Sequence, residues 1–440
     1  MRRGRALFRA LIMKKSKYIV SLQHEGINVL FNTRTKSYLI VTPSLLKSFN
    51  SMMPEELLAH NNRFFKQLLK YEFIIEDDFD ELEALRTVSN REDYNESKYH
   101  MIINPTLDCN CRCWYCFEKK HIGSIMNREV LSACKNHISR TLEQKPSLGK
   151  FALSFFGGEP LLHYFDIAAP IINHLQGLLP KEQTEISITT NGILLNRKII
   201  DHLVAVHVQN LQITFDGDSK SHNKTRCDVN KTPTYRTIVS NIHDLNSAGI
   251  KVVVRFNYTL KNIYDFQNTL NDLYDVDNPS LLFLSVNRVW QDISSKASDD
   301  EKQRMFAEVD RLYQDSLKHG FSPLPQYNRL SLSQSCYADK NNQCLINYDG
   351  GVFKCNARDF SSQRQLGVLK SNGVIEWNEK YQYWMLGKFC DPICNECSIF
   401  PLCGRGCRRI LYETRENHFC VYGDDSIRKL SLVHDILNSL

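Results

Sequence analysis

Hydrophobic and polar positions follow two different rhythms along the chain, and each change of rhythm marks a division. Residues 18–22 and 28–31 alternate as strands do, a polar turn follows at 32–36, and 38–41 reads as a third strand. Thr42 before Pro43 predicts a helix start, with a capping hydroxyl and a proline at the first helical position. Leu57, Leu58, Phe64, Phe65, Leu68 and Leu69 then fall at helical spacing within 54–71. A short strand at 73–76 runs into an acidic stretch, and the polar, charged residues 87–97 read as a linker. Beyond it strands are predicted at 99–105, 151–155, 185–190, 210–215, 251–260 and 281–289. Helices are predicted between and after them, at 127–142, 164–178, 196–204, 235–248, 264–274 and 299–319. Six β-α units in succession predict an α/β fold, a parallel sheet covered by helices. From about Pro323 the helical rhythm fades and cysteines accumulate. The divisions predicted are therefore 1–16, 17–93, 94–322 and 323–440.

Composition narrows the class. At 440 residues the chain has room for several domains of roughly 100–200 residues each. A net charge of +6 is modest for this length and gives no reason to expect a nucleic-acid partner. The basic start, Met1 to Arg5, precedes an apolar patch at 6–13 that Arg9 interrupts. That patch is too short and too charged for a secretory signal or a spanning helix, so no membrane partner is expected. Residues 1–16 read as a disordered basic tail, with Met13 as an alternative start. Fifteen cysteines with no export signal predict a reducing, cytoplasmic setting in which thiols bind metal.

The candidate chemistry gathers in one short loop, 108–118, directly after the first strand of the α/β region. Cys109, Cys113 and Cys116 stand there in the spacing C-x3-C-x2-C, with Tyr115 before the last cysteine. Thiolate is the usual protein ligand of a [4Fe–4S] cluster, and three would leave a fourth iron open. A zinc knuckle is the competing reading of closely spaced cysteines. After the second strand comes Phe155-Phe-Gly-Gly-Glu-Pro160, where Gly157 and Gly158 let the backbone approach a ligand and Glu159 offers an acceptor to a cationic amine. Thr189-Thr-Asn191-Gly ends the third strand, and Thr214-Phe-Asp-Gly ends the fourth. Arg226 follows, a guanidinium suited to a carboxylate, and Arg255 with Asn257 closes the fifth.

The cysteine spacing with its aromatic residue resembles the signature of radical S-adenosylmethionine (SAM) enzymes, and the later segments fall in that family's order at successive strand ends. The resemblance implies a partial (β/α)6 barrel of the TIM type, with its chemistry at the C-terminal ends of the strands. It implies that Cys109, Cys113 and Cys116 bind the catalytic cluster and that the segment Gly157, Gly158, Glu159 and Pro160 takes the amino group of SAM. By the same resemblance Asn191 or its neighbours, Thr189 among them, reach the ribose, Thr214 and Arg226 the carboxylate, and Arg255 and Asn257 the adenosine or substrate side, while Tyr115 counts among the cofactor-binding residues.

Cysteines 336, 344 and 355, then Cys394-x2-Cys397-x5-Cys403-x3-Cys407 and finally Cys420, resemble the SPASM domain. That resemblance implies two auxiliary [4Fe–4S] clusters, one on Cys336, Cys344, Cys355 and Cys407, the other on Cys394, Cys397, Cys403 and Cys420. A zinc ribbon is the alternative. Cys134 reads as a small core residue, Cys390 as a spare, and Cys111 and Cys227 as bystanders. The order of elements in 17–93 is similar to the small winged-helix-like α+β domain that recognises leader peptides in peptide-modifying radical SAM enzymes. The whole resemblance implies three [4Fe–4S] clusters, SAM, an electron donor such as flavodoxin or ferredoxin, and oxidation of side chains in a ribosomally made precursor peptide with leader and core. One alternative is a sulfatase-maturating enzyme, which forms formylglycine. Its relatives place an Asp directly after the cysteine matching Cys355, and here that position is Asn356. The other is a non-catalytic iron–sulfur electron carrier or peptide-binding protein.

Overall fold

The computed structural model describes residues 12–289, 298–324, 332, 333, 335–357, 359–414, 420, 422, 423 and 426–437, so most of the expected basic tail lies outside the described residues. The chain packs as two compact units. One is drawn from Met1–Asn95, Tyr327–Asn341 and Gln382–Leu440, the other from Glu96–Gln326 and Asn342–Tyr381.

In the first unit, β1 (Met13–Lys15) pairs antiparallel with β5 (Ile74–Glu76), while β2 (Ile19–His24), β3 (Ile27–Asn32) and β4 (Ser37–Ile40) form an antiparallel sheet. Strand alternation gives that sheet two apolar faces. Leu30 joins Val41, Phe49, Leu57, Phe64 and Phe65 on the helical side. Val20, Leu22, Val29 and Phe31 pack instead with Ile399, Leu402, Leu432 and Val433 from the far end of the chain. The helix Pro43–Ser51 starts where Thr42 and Pro43 place it, with the Thr42 side chain accepting from Leu45 N. The helix expected over 54–71 is two, Pro54–His60 and Asn62–Lys70, because Asn61 leaves helical geometry and its side chain caps the second by accepting from Phe64 N.

Of the stretch 87–97 read as a linker, the part up to Asp93 is instead the second half of a helix, Glu81–Asp93, capped by Asp80, and only 94–97 connect it to the next strand. Two of its polar residues face inward. Ser89 and Asp93 are buried, and Asp93 receives the Lys388 ammonium at 3.0 Å, a partner 295 residues away. Composition alone reads such residues as loop, because their reason for being polar lies elsewhere in the chain.

The second unit holds a ten-stranded sheet. Its strands β6 (Lys98–Ile103), β7 (Lys150–Phe155), β8 (Thr184–Thr190), β9 (Asn210–Phe215), β10 (Val252–Tyr258) and β11 (Leu282–Arg288) are all parallel and adjacent in chain order. β12 (Gln343–Ile346) joins parallel beside β6, followed by antiparallel β13 (Gly351–Phe353), β14 (Gly367–Leu369) and β15 (Ile375–Trp377). Met101, Ile103, Leu153, Phe155, Ile186 and Ile188 face the helices in one large apolar core. The alternate positions carry a polar row, His100 Nε2 to Ser154 Oγ at 2.9 Å and Ser154 Oγ to Ser187 Oγ at 2.8 Å. In-register parallel pairing brings Ile103, Phe155 and Ile188 to neighbouring positions, so the loops after these strands open on one end of the sheet. No described helix is long and apolar enough to cross a membrane.

Candidate active site

The loop after β6 is held by its own polar residues before any ligand is considered. Asp108 N donates to Thr106 Oγ1 at 2.8 Å, and the Asp108 carboxylate accepts from Cys109 N and Gly123 N. The loop after β7 then clips onto it: Gly158 N donates to the Thr106 carbonyl at 3.0 Å and Glu159 N to that of Asp108 at 2.8 Å. This explains the two glycines. A Cβ on Gly157, whose φ is +101°, would lie 2.4 Å from Thr106 O, and one on Gly158 would lie 2.0 Å from Asp108 O. The close approach they permit is therefore to the cysteine loop itself. On its other side the loop meets the segment after β9, where Cys111 bridges to Asp228 and Val229 N donates to Asn110 O.

Glu159 is fully buried and all its visible bonds are internal. One carboxylate oxygen accepts from Leu161 N and Thr190 Oγ1, the other from Asn191 N at 2.8 Å. Burial, and then the Cys109 charge, pushes its carboxyl up to about 7. The carboxylate thus ties the end of β7 to that of β8 and sets Asn191, whose side-chain amide donates to Asn110 Oδ1 at 2.6 Å and reaches towards Cys109 Sγ at 3.9 Å.

A second network is centred on the Tyr115 hydroxyl. It donates to Asp216 at 2.7 Å and accepts from Arg226 Nη1 at 2.8 Å and Asn257 Nδ2 at 3.1 Å. Arg255 Nε in turn donates to Asn257 Oδ1 at 2.9 Å. Burial outweighs the neighbouring Arg226 and pushes the Asp216 carboxyl up to about 6.

These two networks wall a cavity of about 470 Å³. Of the residues expected at the site, Cys109, Cys113, Cys116, Tyr115, Gly157, Gly158, Thr189, Asn191, Thr214, Arg226 and Arg255 line it; Glu159 and Pro160 do not. Glu118, Lys120 and Gln212 also line it and were not anticipated. Gln212 had a legible signal, since it stands two residues before Thr214 on β9 and so shares its face. Asn356 lines the same cavity. Two of the lining residues carry buried polar atoms without a hydrogen-bond partner among the described residues, Arg226 Nε and Glu118 Oε1. A donor and an acceptor left open beside three thiols suit an amino acid bound at a cluster. Among the described residues no three His, Cys, Asp or Glu side chains are arranged to hold a single metal ion. A cubane asks for something different, one thiolate at each of several irons.

The eight C-terminal cysteines expected to bind clusters fall in four places. Cys394, Cys397, Cys403 and Cys420 line one small apolar cavity in the first unit, together with Phe400, Arg405 and Tyr422. In the same unit the segments bearing Cys336 and Cys407 are joined, since Asp339 N donates to Cys336 O and the Asp339 carboxylate meets Arg408 Nε at 3.4 Å. Cys355 follows β13 in the second unit, buried, with Ala357 N donating to its sulfur. Cys344 is carried elsewhere. On β12, opposite Met101, it is fully buried in the apolar core with Cys134, 3.4 Å from the Tyr99 hydroxyl, and burial pushes its thiol up to about 11. The strand's alternation decides this, because a residue at that register position points among the helices. Cys134 is a core residue as expected. Cys390 is exposed, its sulfur 2.7 Å from Arg405 Nη1.

Residues 103–273, from the last residue of β6 past the end of β10, match the Radical SAM superfamily. The chain carries a radical SAM domain. Over 381 residues it is 26% identical to the cysteine-type anaerobic sulfatase-maturating enzyme of Clostridium novyi (strain NT), a likeness covering 76% of this chain and 96% of that one. It is 32% identical over 109 residues to a GTP 3',8-cyclase of Clostridium perfringens (strain SM101 / Type A), covering 25% of this chain and 32% of the cyclase. Among solved structures, native anSMEcpe with bound AdoMet and Cp18Cys peptide matches with a TM-score of 0.56 at 18% identity, over 78% of this chain and 100% of that one. Streptococcus suis SuiB bound to precursor peptide SuiA matches with a TM-score of 0.54 at 16% identity, over 94% of this chain and 99% of that one. At these identities the likeness is one of fold: the six β-α units predict its parallel sheet covered by helices, and the resemblance of the cysteine loop implies that it is the α/β radical SAM fold. The cysteine loop and the Gly157-Gly158 turn both lie inside the radical SAM domain.

Proposed function

We propose that the protein is a radical SAM oxidoreductase that oxidatively modifies side chains of a ribosomally made precursor peptide, joining them through a thioether or another crosslink. The observation that carries this reading is the cavity in which Cys109, Cys113 and Cys116 meet Gly157, Gly158, Asn191, Thr214 and Arg226. A [4Fe–4S] cluster on the three cysteines with SAM beside it would supply a 5′-deoxyadenosyl radical able to take a hydrogen atom from an unactivated carbon. The protein's own part is position. Tyr115 fixes the Arg226 guanidinium, which offers its open Nε to a carboxylate, while Glu159 holds Asn191 and the glycine turn against the cysteine loop. The remaining cluster cysteines, Cys336, Cys355, Cys394, Cys397, Cys403, Cys407 and Cys420, would hold auxiliary clusters, for three in all, and a flavodoxin or ferredoxin would deliver the electron.

The peptide reading is supported by the outer edge of β4, which pairs only with β3 among the described strands. Tyr38 and Ile40 on it are 42% and 65% exposed. An edge of this kind takes an added strand through main-chain hydrogen bonds, with side-chain pockets giving choice. A second reading, formylglycine formation, draws on the likeness to a sulfatase-maturating enzyme. It asks for a base at the position occupied by Asn356, which lines the cavity but has no carboxylate.

Replacing Cys109, Cys113 and Cys116 together by Ala is expected to remove about four irons of about twelve, one cubane's worth, and to abolish 5′-deoxyadenosine production. Persistence of 5′-deoxyadenosine in that variant would overturn the assignment of the loop. Stoichiometric zinc with little iron would sink the auxiliary clusters. Conversion of a cysteine-bearing sulfatase peptide to formylglycine would move the function to the second reading.

A further inference from the structure

We infer that the N-terminal sheet is a structural half of the metal site formed by Cys394, Cys397, Cys403 and Cys420, with Tyr18 and Thr33 as positioning residues for the loop that carries the first three. This rests on the reading of those four cysteines as ligands. The loop cannot hold its own shape. Between residues 392 and 403 its helices, Pro392–Asn395 and Phe400–Cys403, are four residues each, far below the length at which a helix is stable alone. Its geometry must come from what it lies on.

What it lies on is β2, β3 and the turn after them. The Tyr18 hydroxyl donates to the Asn395 carbonyl at 2.9 Å, and the Thr33 hydroxyl to that of Ser398. Those two carbonyls bracket Cys397. Tyr18 and Thr33 are themselves tied, Thr33 N to Tyr18 O at 2.8 Å, so the two hydroxyls act from one rigid corner. Both residues are almost fully buried, Tyr18 at 0% and Thr33 at 1% exposure. Beneath them, Tyr18, Leu85 and Phe400 form one apolar cluster with Cys394 and Cys397 packed on it, and Phe31 with Ile399 and Leu402 forms another touching Cys397 and Cys403. A third contact, Lys17 to Glu396 at 2.8 Å, is at the surface and is expected to contribute little.

A hydroxyl donating to a loop carbonyl does more than add burial: it fixes the direction of the peptide next to the ligand. Removing it without changing the packed shape separates the two effects. In the full chain, anaerobically reconstituted, the double variant Tyr18→Phe with Thr33→Val is expected to release about four irons per chain to a chelator roughly tenfold faster than the unaltered protein. The other irons should leave at the unaltered rate, and 5′-deoxyadenosine production should be unchanged. Cys403→Ser identifies the population by removing the same irons. Thr33→Ser, which keeps the hydroxyl, is expected to restore slow release on the Tyr18→Phe background in part, and Lys17→Ala to leave release unchanged. Unchanged release in the double variant, or fast release from the cluster on Cys109, Cys113 and Cys116, would overturn the inference. If the four cysteines hold zinc, the cluster reading fails but zinc release tests the same loop; if they hold no metal, both fall.

Discussion

A methyl group on Gly158 would stand 2.0 Å from the Asp108 carbonyl oxygen and 2.6 Å from its carbon, and neither backbone atom can yield without moving the cysteine loop. Gly158→Ala is therefore expected to cost the domain about four irons and its 5′-deoxyadenosine production while far-ultraviolet circular dichroism stays that of the folded protein. Full iron in that variant would show that the loop adapts. The Tyr115 hydroxyl, at which Asp216, Arg226 and Asn257 converge, is a softer point. Tyr115→Phe leaves buried Asp216 and Arg226 and half-buried Asn257 each short of a partner, at about 1–3 kcal/mol for each buried unsatisfied group. The KM for SAM should rise at least about tenfold with the iron content unaltered, and an unchanged KM would detach this network from SAM binding. At this scale the chain was largely legible, since cysteine spacing and strand-end placement found eleven residues that line the cavity. Glu159 was legible as important but not as to role: a carboxylate beside glycines reads as a ligand for a cation, while its three donors, Leu161, Thr190 and Asn191, come from the chain itself.

The six parallel strands were plain in the sequence because each alternates or runs apolar for long enough to set a period, and the loops after them followed. What period could not show was pairing between distant elements. β12 inserts beside β6, and this takes Cys344 into the apolar core although it sits among cysteines spaced for clusters. The helix Glu81–Asp93 was hidden in the same way, its polar face meeting Lys388. The polar row inside the sheet has a measurable consequence. Burial, helped by Lys98 and Lys354, lowers His100 from 6.5 to about 4. Between those values the unfolded chain binds a proton that the native one refuses, so the contribution is whole above 6.5 and is lost as pH falls through about 4. It amounts to roughly 3 kcal/mol at most. His100→Gln should flatten the fall of Tm between pH 6.5 and 4; an equally steep fall in the variant would assign it to other groups.

Over the whole molecule, the first unit is asked to do two things with one sheet, offering the β4 edge on one side and carrying the loop of Cys394 and Cys397 on the other. Deleting 17–93 would confound the two. Substituting the exposed edge, Tyr38→Lys with Ile40→Lys, is expected to lower modification of a precursor bearing its leader at least about tenfold, as for loss of a docking strand, with iron and uncoupled 5′-deoxyadenosine unchanged. Equal modification by both proteins would remove leader docking at this edge. Sequence reading separated 17–93 from the cysteine-rich end because they lie so far apart in the chain, and no local pattern records that they share a core.

That separation also has a cost in time. Tyr18 meets Asn395 across 377 residues, so at roughly 5–20 residues per second a ribosome delivers the second partner some ~20–75 s after the first. For that interval Val20, Leu22, Val29 and Phe31 have nothing to cover them. The nascent chain carries an uncovered apolar sheet while the whole radical SAM domain is being made behind it, a state prone to aggregation that a chaperone must shield. Yield in a foreign host should accordingly follow chaperone supply and slow growth more closely than it follows iron supply, since the last cysteines cannot take metal until this wait is over.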